Sequence, residues 1–139
     1  MNVSRAATYA IAAVMQLAKS NAHIPISSVR LAEAGGMPER FLLQILRMLT
    51  THEVLHSTRG VVGGYTLHRP LDKISLLDII EAVDGPISGR MPSGIYLPIE
   101  CCARLRRVVD DISSRTRSEL QIVTLADLAL APHSNRSLC

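Results

Sequence analysis

Hydrophobic and polar positions repeat at helical spacing along most of this chain. Over residues 6–18, Ala10, Ile11, Val14, Met15, Leu17 and Ala18 fall on one broad face, interrupted by Thr8, Tyr9 and Gln16. This predicts a packed first helix with Ser4 as its N-cap. After a loop around Pro25, Ser27 or Ser28 can cap a second helix to about Ala34, which Gly35-Gly36 breaks. Pro38 suits the first position of a third helix, and Glu39 in its first turn complements the helix dipole. There Phe41, Leu42, Ile45, Leu46 and Leu49 form a single apolar stripe, and the other side presents Glu39, Arg40, Leu43, Gln44 and Arg47. Two short helices joined by a glycine turn, the second with a polar outer face, predict a helix-turn-helix.

The pattern then changes. Val54 and Leu55 before RGVVGG, and Tyr65 and Leu67 after it, suit two short strands, and Gly63-Gly64 permits the positive φ of a tight hairpin. A hairpin in this position is a wing. Ser75-Leu76-Leu77-Asp78 has the spacing of a capping box and opens a helix to about Val83. Residues 85–99 are rich in Gly, Pro and Ser and read as an irregular linker. A long helix follows from about Glu100, with Leu105, Val108, Val109 and Ile112 as its apolar stripe before SSRTRSE turns polar. Thr124-Leu125-Ala126-Asp127 repeats the capping-box spacing ahead of a short final helix. The expected architecture is mainly α with a small β-hairpin wing. Residues 1–84 form a winged helix-turn-helix domain, 85–99 a linker, 100–131 a dimerisation helix with a C-terminal helix, and 132–139 a tail. The long stripe needs a cover, either its own domain or, most economically, a second copy across a two-fold axis.

Composition narrows the partners. A chain of 139 residues with 47% hydrophobic and 19% charged residues is a globular domain that needs no disulfide staples. Its aromatics are Tyr9, Phe41, Tyr65 and Tyr96, too few for the stacking platforms of single-strand binders. The net charge is +3, but residues 1–70 carry seven Lys/Arg against three Asp/Glu, and residues 71–139 carry eight against nine. The basic half is the winged half, as expected of a domain that meets a polyanion. The run at 6–18 is interrupted by polar residues, and no apolar stretch approaches the ~18 residues of a membrane span. Three cysteines, Cys101, Cys102 and Cys139, fit a reducing cytoplasm rather than a disulfide framework.

The expected chemistry is recognition of double-stranded DNA. A recognition helix enters the major groove N-terminus first, which singles out Pro38, Glu39, Arg40, Leu43, Gln44 and Arg47. Arg40 or Arg47 can pair with guanine or phosphate, Gln44 with adenine and Glu39 with cytosine. Ser27 and Ser28 stand where helix N-termini touch phosphate. In the wing, Arg59 enters the minor groove. Gly60, Gly63 and Gly64, followed by Tyr65, allow close backbone approach. A winged helix used to bind another protein is the alternative. HEVLH at 52–56 spells a zinc-peptidase string, which needs both histidines on one helical face with Glu53 as general base. The string straddles the end of the recognition helix and the first strand, Arg59 stands where a metzincin needs glycine, and no clear third ligand follows. No G-K-[ST], Gly-x-Ser-x-Gly or catalytic carboxylate pair occurs either. No enzyme and no metal site is expected.

The residues TYAIAAVMQLA, MPERFLLQILRMLT, RGVVGGYTLHRP, ISLLDIIEAVDGPI and VTLADL, in this order, resemble the IscR/NsrR/CymR (Rrf) family of winged helix-turn-helix transcription regulators. The resemblance covers nearly the whole chain. It implies a homodimeric DNA-binding regulator, read here as a repressor, of a kind that often senses iron–sulfur status, nitric oxide, redox state or cysteine supply. One departure stands out. Cluster-binding members carry three spaced cysteines before the dimerisation helix, whereas residues 85–100 contain none. Cys101 or Cys102 falls near the last of the three, and the other two ligands are missing, so an iron–sulfur cluster is disfavoured and no cofactor is expected. Cys101 and Cys102, at a helix start near Arg104, Arg106 and Arg107, are candidate thiol sensors, since such surroundings favour the thiolate.

Overall fold

The computed structural model describes residues 1–20, 23–94 and 96–129; the expected tail at 132–139 lies outside them. Among these residues, six helices and one hairpin follow each other in the order anticipated. They are α1 (Arg5–Lys19), α2 (Ser28–Gly35), α3 (Glu39–Thr51), β1 (Leu55–Thr58), β2 (Gly64–Leu67), α4 (Leu76–Asp84), α5 (Ile99–Ile122) and α6 (Leu125–Ala129). A 3-10 turn, Leu71–Lys73, precedes α4.

Each helix begins or ends where local chemistry requires. Ser4 caps α1 by accepting from the Ala7 amide, and its hydroxyl donates to Asp84 at the far end of α4 (2.7 Å). Ala7, Ala10, Ala13, Val14 and Leu17 are the buried positions of α1, so its face is centred on alanines, with Ile11, Met15 and Ala18 at the edges. Small side chains there let α3 and α4 approach closely. Gly36 closes α2 in the left-handed conformation (φ 62°), with Met37 N–H donating to Ala32 C=O and Gly36 N–H to Glu33 C=O. Alpha3 ends by the same device. Val54 N–H donates to Leu49 C=O and Glu53 N–H to Thr50 C=O, and Glu53 takes the left-handed turn at φ 56°.

The core lies between α1, α3 and α4, where Val14, Leu31, Leu42, Ile45, Leu46, Leu49, Val54, Leu55, Ile74 and Ile79 are almost fully buried. Phe41, expected on the buried stripe, is 38% exposed and instead makes an edge-to-face contact with Tyr9 at 5.8 Å. It sits at the rim of the α1–α3 contact because the buried stripe runs through Leu42, Ile45, Leu46 and Leu49, to one side of it. Alpha6 returns to this core. Leu76 N–H donates to Val123 C=O and Leu125 N–H to Ile74 C=O, both at 2.8 Å, and Leu125 is fully buried. Residues beyond the long helix therefore close the domain that the first 84 residues begin.

Alpha5 buries none of its 24 residues below the surface. Its stripe divides in two. Leu105, Val108 and Ile112 are 41%, 55% and 58% exposed, whereas Val109 is half-buried under the linker, where Gly89 passes against Val109 and Asp110. Arg117 pairs with Glu81 of α4, and the same carboxylate accepts from the Ile87 amide (2.9 Å). One glutamate thus joins α4, α5 and the linker.

Candidate nucleic-acid interface

The helix-turn-helix and the wing share a short hydrogen-bonded seam. Ile26, just before the N-cap of α2, exchanges backbone bonds with Tyr65 of β2: Ile26 N–H to Tyr65 C=O at 3.1 Å and Tyr65 N–H to Ile26 C=O at 2.9 Å. Gly64 makes this possible. Its φ is 152°, and a Cβ on it would collide with the carbonyl of Ile26 and the amide nitrogen of Ser27. Tyr65, expected to accompany the DNA-facing glycines, is half-buried and packs on the core, where it anchors the wing.

At the start of α2, Ser27 is the N-cap and accepts from the Arg30 amide (3.3 Å). Ser28 donates to the Glu39 carboxylate at the start of α3 (3.5 Å), which brings the two helix N-termini together. Pro38 occupies the N-cap position of α3, one residue earlier than anticipated; its fixed φ and missing N–H suit either place. From there Glu39, Arg40, Gln44 and Arg47 are all exposed, with Leu43 half-buried among them. Positions 40, 44 and 47 recur at one helical face, so two guanidinium groups and an amide project together.

The hairpin pairs Leu55 with Leu67, His56 with Thr66, Ser57 with Tyr65 and Thr58 with Gly64. Its turn is closed by Gly63 N–H donating to Gly60 C=O at 3.0 Å. Gly60 (φ 111°) and Gly64 take the positive angles; Gly63 does not, and is required because a Cβ would strike the Thr58 and Gly60 carbonyls. Arg59 at the tip is fully outside the core. Among the described residues, ion pairs involve Arg69, Arg115 and Arg117, and Arg40, Arg47 and Arg59 make none. Arg69, by contrast, is occupied internally: it donates to Glu53 C=O, Lys73 C=O and Asp78. Within the helix-turn-helix and the wing, Arg40, Arg47 and Arg59 thus carry charge that no internal ion pair occupies.

HEVLH does not form one helical face. His52 ends α3, Glu53 turns left-handed, Val54 is buried and His56 lies in β1. The string is a helix stop followed by a strand. No group of three or more His, Cys, Asp or Glu among the described residues is placed to hold a metal. Cys101 is exposed, and Cys102 is half-buried with its thiol donating to Leu97 C=O (3.8 Å). As neighbours on a helix they point about 100° apart and do not converge on one ion.

A family model described as an iron-dependent transcriptional regulator, Rrf2, matches residues 3–131. The chain belongs to the Rrf2 family. It is similar to Rv1287 of Mycobacterium tuberculosis, which bears the name of an HTH-type transcriptional regulator, at 37% identity over 131 residues, spanning 93% of this chain and 81% of that protein. Among solved structures it superposes on CymR, the global cysteine regulator of B. subtilis, with a TM-score of 0.72 and 28% identity, covering 96% of this chain and 99% of that one. IscR of T. potens follows at TM-score 0.66 and 25% identity, covering 96% and 94%. The winged-helix fold and DNA-binding transcriptional regulation expected from the sequence are therefore those of this Rrf2 protein. No described helix is long and apolar enough to cross a membrane.

Sequence reasoning passed over two features of the site. Val61 and Val62 stand at the wing tip, and Ile26 is the residue to which the wing is fastened. Both had a signal: two β-branched residues between glycines have no core to enter, and Ile26 continues the apolar alternation just before a cap.

Proposed function

We propose that this Rrf2 protein is a homodimeric repressor that binds a roughly two-fold operator, with α3 in the major groove and the hairpin in the minor groove of each half-site. In this reading Arg40, Gln44 and Arg47 meet base edges and phosphates, Ser27 and Ser28 approach phosphate, and Arg59 enters the minor groove with Gly60, Gly63 and Gly64 allowing close approach. The observation that carries it is the exposure of Arg40, Arg47 and Arg59, without internal ion pairs among the described residues, on elements fastened to each other. Repression is the expected outcome where such a site overlaps a promoter, since the bound dimer and polymerase then compete for the same DNA. The exposed Leu105, Val108 and Ile112 supply a stripe for the second copy.

The same reading places no three-cysteine iron–sulfur cluster in this chain, because the donor set of Cys101 and Cys102 is too small and divergent. Those thiols, near Arg104, Arg106 and Arg107, instead respond to oxidant and alter DNA affinity. DNA duplexes selected from a random library with the full-length protein test the whole reading. Affinity is expected to fall about 10³-fold or more between roughly 50 and 200 mM salt as counterions are released. Salt-insensitive binding, or an Arg59→Ala variant of unchanged affinity, refutes the wing assignment. An absorbance spectrum and iron analysis of anaerobically purified protein are expected to lack a cluster. A Cys101→Ala/Cys102→Ala variant that responds to oxidant as the parent does eliminates the thiol role.

A further inference from the structure

The wing tip carries two valines that nothing inside the protein explains. Val61 is 106% and Val62 82% exposed. They lie between Gly60 and Gly63, in a turn closed by the Gly63–Gly60 hydrogen bond, and directly follow Arg59. The loop is little thicker than its backbone on either side of them, and its base is tied to α2 through Tyr65 and Ile26. A tip that combines a guanidinium with two short, conformationally stiff side chains matches a narrow groove with an anionic rim and a floor that short side chains can reach. The DNA minor groove is such a surface, with phosphates along its edges and base edges as its floor.

We propose that Val61 and Val62 are a specificity element that lies on the floor of an A·T-paired minor groove and rejects the 2-amino group of guanine. The inference rests on the wing-in-groove reading given above and assigns sequence selection to residues that make no hydrogen bond. A·T and T·A pairs offer only recessed acceptors in the minor groove, whereas G·C adds a protruding amino donor. A valine methyl pairs with neither, but it can lie over the recessed A·T acceptors, whereas the guanine amino group projects into the space the methyl needs and has its free N–H buried unsatisfied. Arg59 selects by a different means, the deeper negative potential of a narrow groove. The two contributions are therefore separable.

Base analogues that change only the minor groove provide the test. In a duplex selected with the full-length protein, adenines are replaced one at a time by 2,6-diaminopurine, which adds the amino group and leaves the major-groove face of the pair as it was. The wild-type protein is expected to bind about tenfold or more weakly when the substitution falls under the wing, and nearly unchanged elsewhere. A Val61→Ser/Val62→Ser variant is expected to bind the parent duplex more weakly and to discriminate less than about twofold between the duplexes. Arg59→Ala is expected to lose affinity for both while keeping the ratio. Tolerance of diaminopurine at every position, undiminished discrimination by the serine variant, or discrimination that vanishes with Arg59 instead overturns the proposal. A wing that serves to dock a protein gives the first of these outcomes. Failure of the wild-type protein to select any duplex overturns the DNA reading itself, and this inference with it.

Discussion

Two residues in left-handed or strongly positive backbone conformations predict opposite outcomes on substitution. At Gly64 a side chain is resisted both by φ and by the Ile26 carbonyl, so Gly64→Ala is expected to destabilise the fold by about 1–3 kcal/mol, read as a lower urea midpoint. At Glu53 the left-handed turn that ends α3 is held by a residue that pays for its Cβ. Glu53→Gly is expected to raise stability by about 0.5–1 kcal/mol, because the relieved strain exceeds the added freedom of the unfolded chain. Equal or lower stability for Glu53→Gly contradicts this account. These two positions also mark where the sequence was and was not legible. A glycine pair announces a tight turn, but whether Gly63 or Gly64 needs the angle depends on which carbonyl passes nearby. A glutamate inside HEVLH gives no sign of being a helix stop, since the signal lies in Val54 folding back on Leu49.

At the level of elements, the caps were the most readable part of the chain because they are written in contiguous residues. Ser75 and Asp78 form a reciprocal capping box, and Thr124 and Asp127 make the same exchange. The division of the α5 stripe was not readable, because Val109 turns away from its neighbours only once Gly89 is known to cross it. Gly89→Val is expected to lift the linker from α5 and to speed tryptic cleavage after Arg90 several-fold, measured by mass spectrometry. Unchanged cleavage means that the Gly89 contact does not hold the segment. The Asp127 carboxyl accepts hydrogen bonds from the backbone and then the hydroxyl of Thr124, and these hold its pKa below the ordinary carboxylate range. A depressed value in the folded state stabilises α6 above the pKa of the unfolded chain and loses that effect as pH falls through the folded one. Wild type is therefore expected to melt above Asp127→Asn at pH 6, with the gap closing below about pH 4. A gap that persists at pH 2 excludes the carboxylate as its source.

For the molecule as a whole, the proposed dimer rests on the exposed face of α5. Val108→Glu places a charge in the middle of the Leu105–Ile112 stripe and is expected to yield monomers in sedimentation. Each monomer keeps its own domain, since Val108 is remote from the core formed by α1, α3 and α4. Operator affinity is expected to drop about 100-fold or more, the advantage of delivering two linked heads to one site. A variant that remains dimeric shows that another surface joins the copies. The sequence made the overall plan legible because helical periodicity, a hairpin and their order survive in one dimension. It could not disclose that Leu125, more than a hundred residues beyond α1, completes the same core.

That returning segment gives α5 mechanical properties. Near its C-terminal end the helix is held by Glu81 through Arg117 and by the Ile74–Leu125 and Val123–Leu76 backbone bonds, while Cys101 and Cys102 lie at the opposite end. Sixteen residues of helix separate Cys101 from Arg117, an arm of about 24 Å at 1.5 Å per residue. With its fulcrum against α4, a tilt of about 10° moves the cysteine end by roughly 4 Å. Alpha4 in turn packs on α3, so any displacement of that end of α5 is geared down into a smaller motion beside α3.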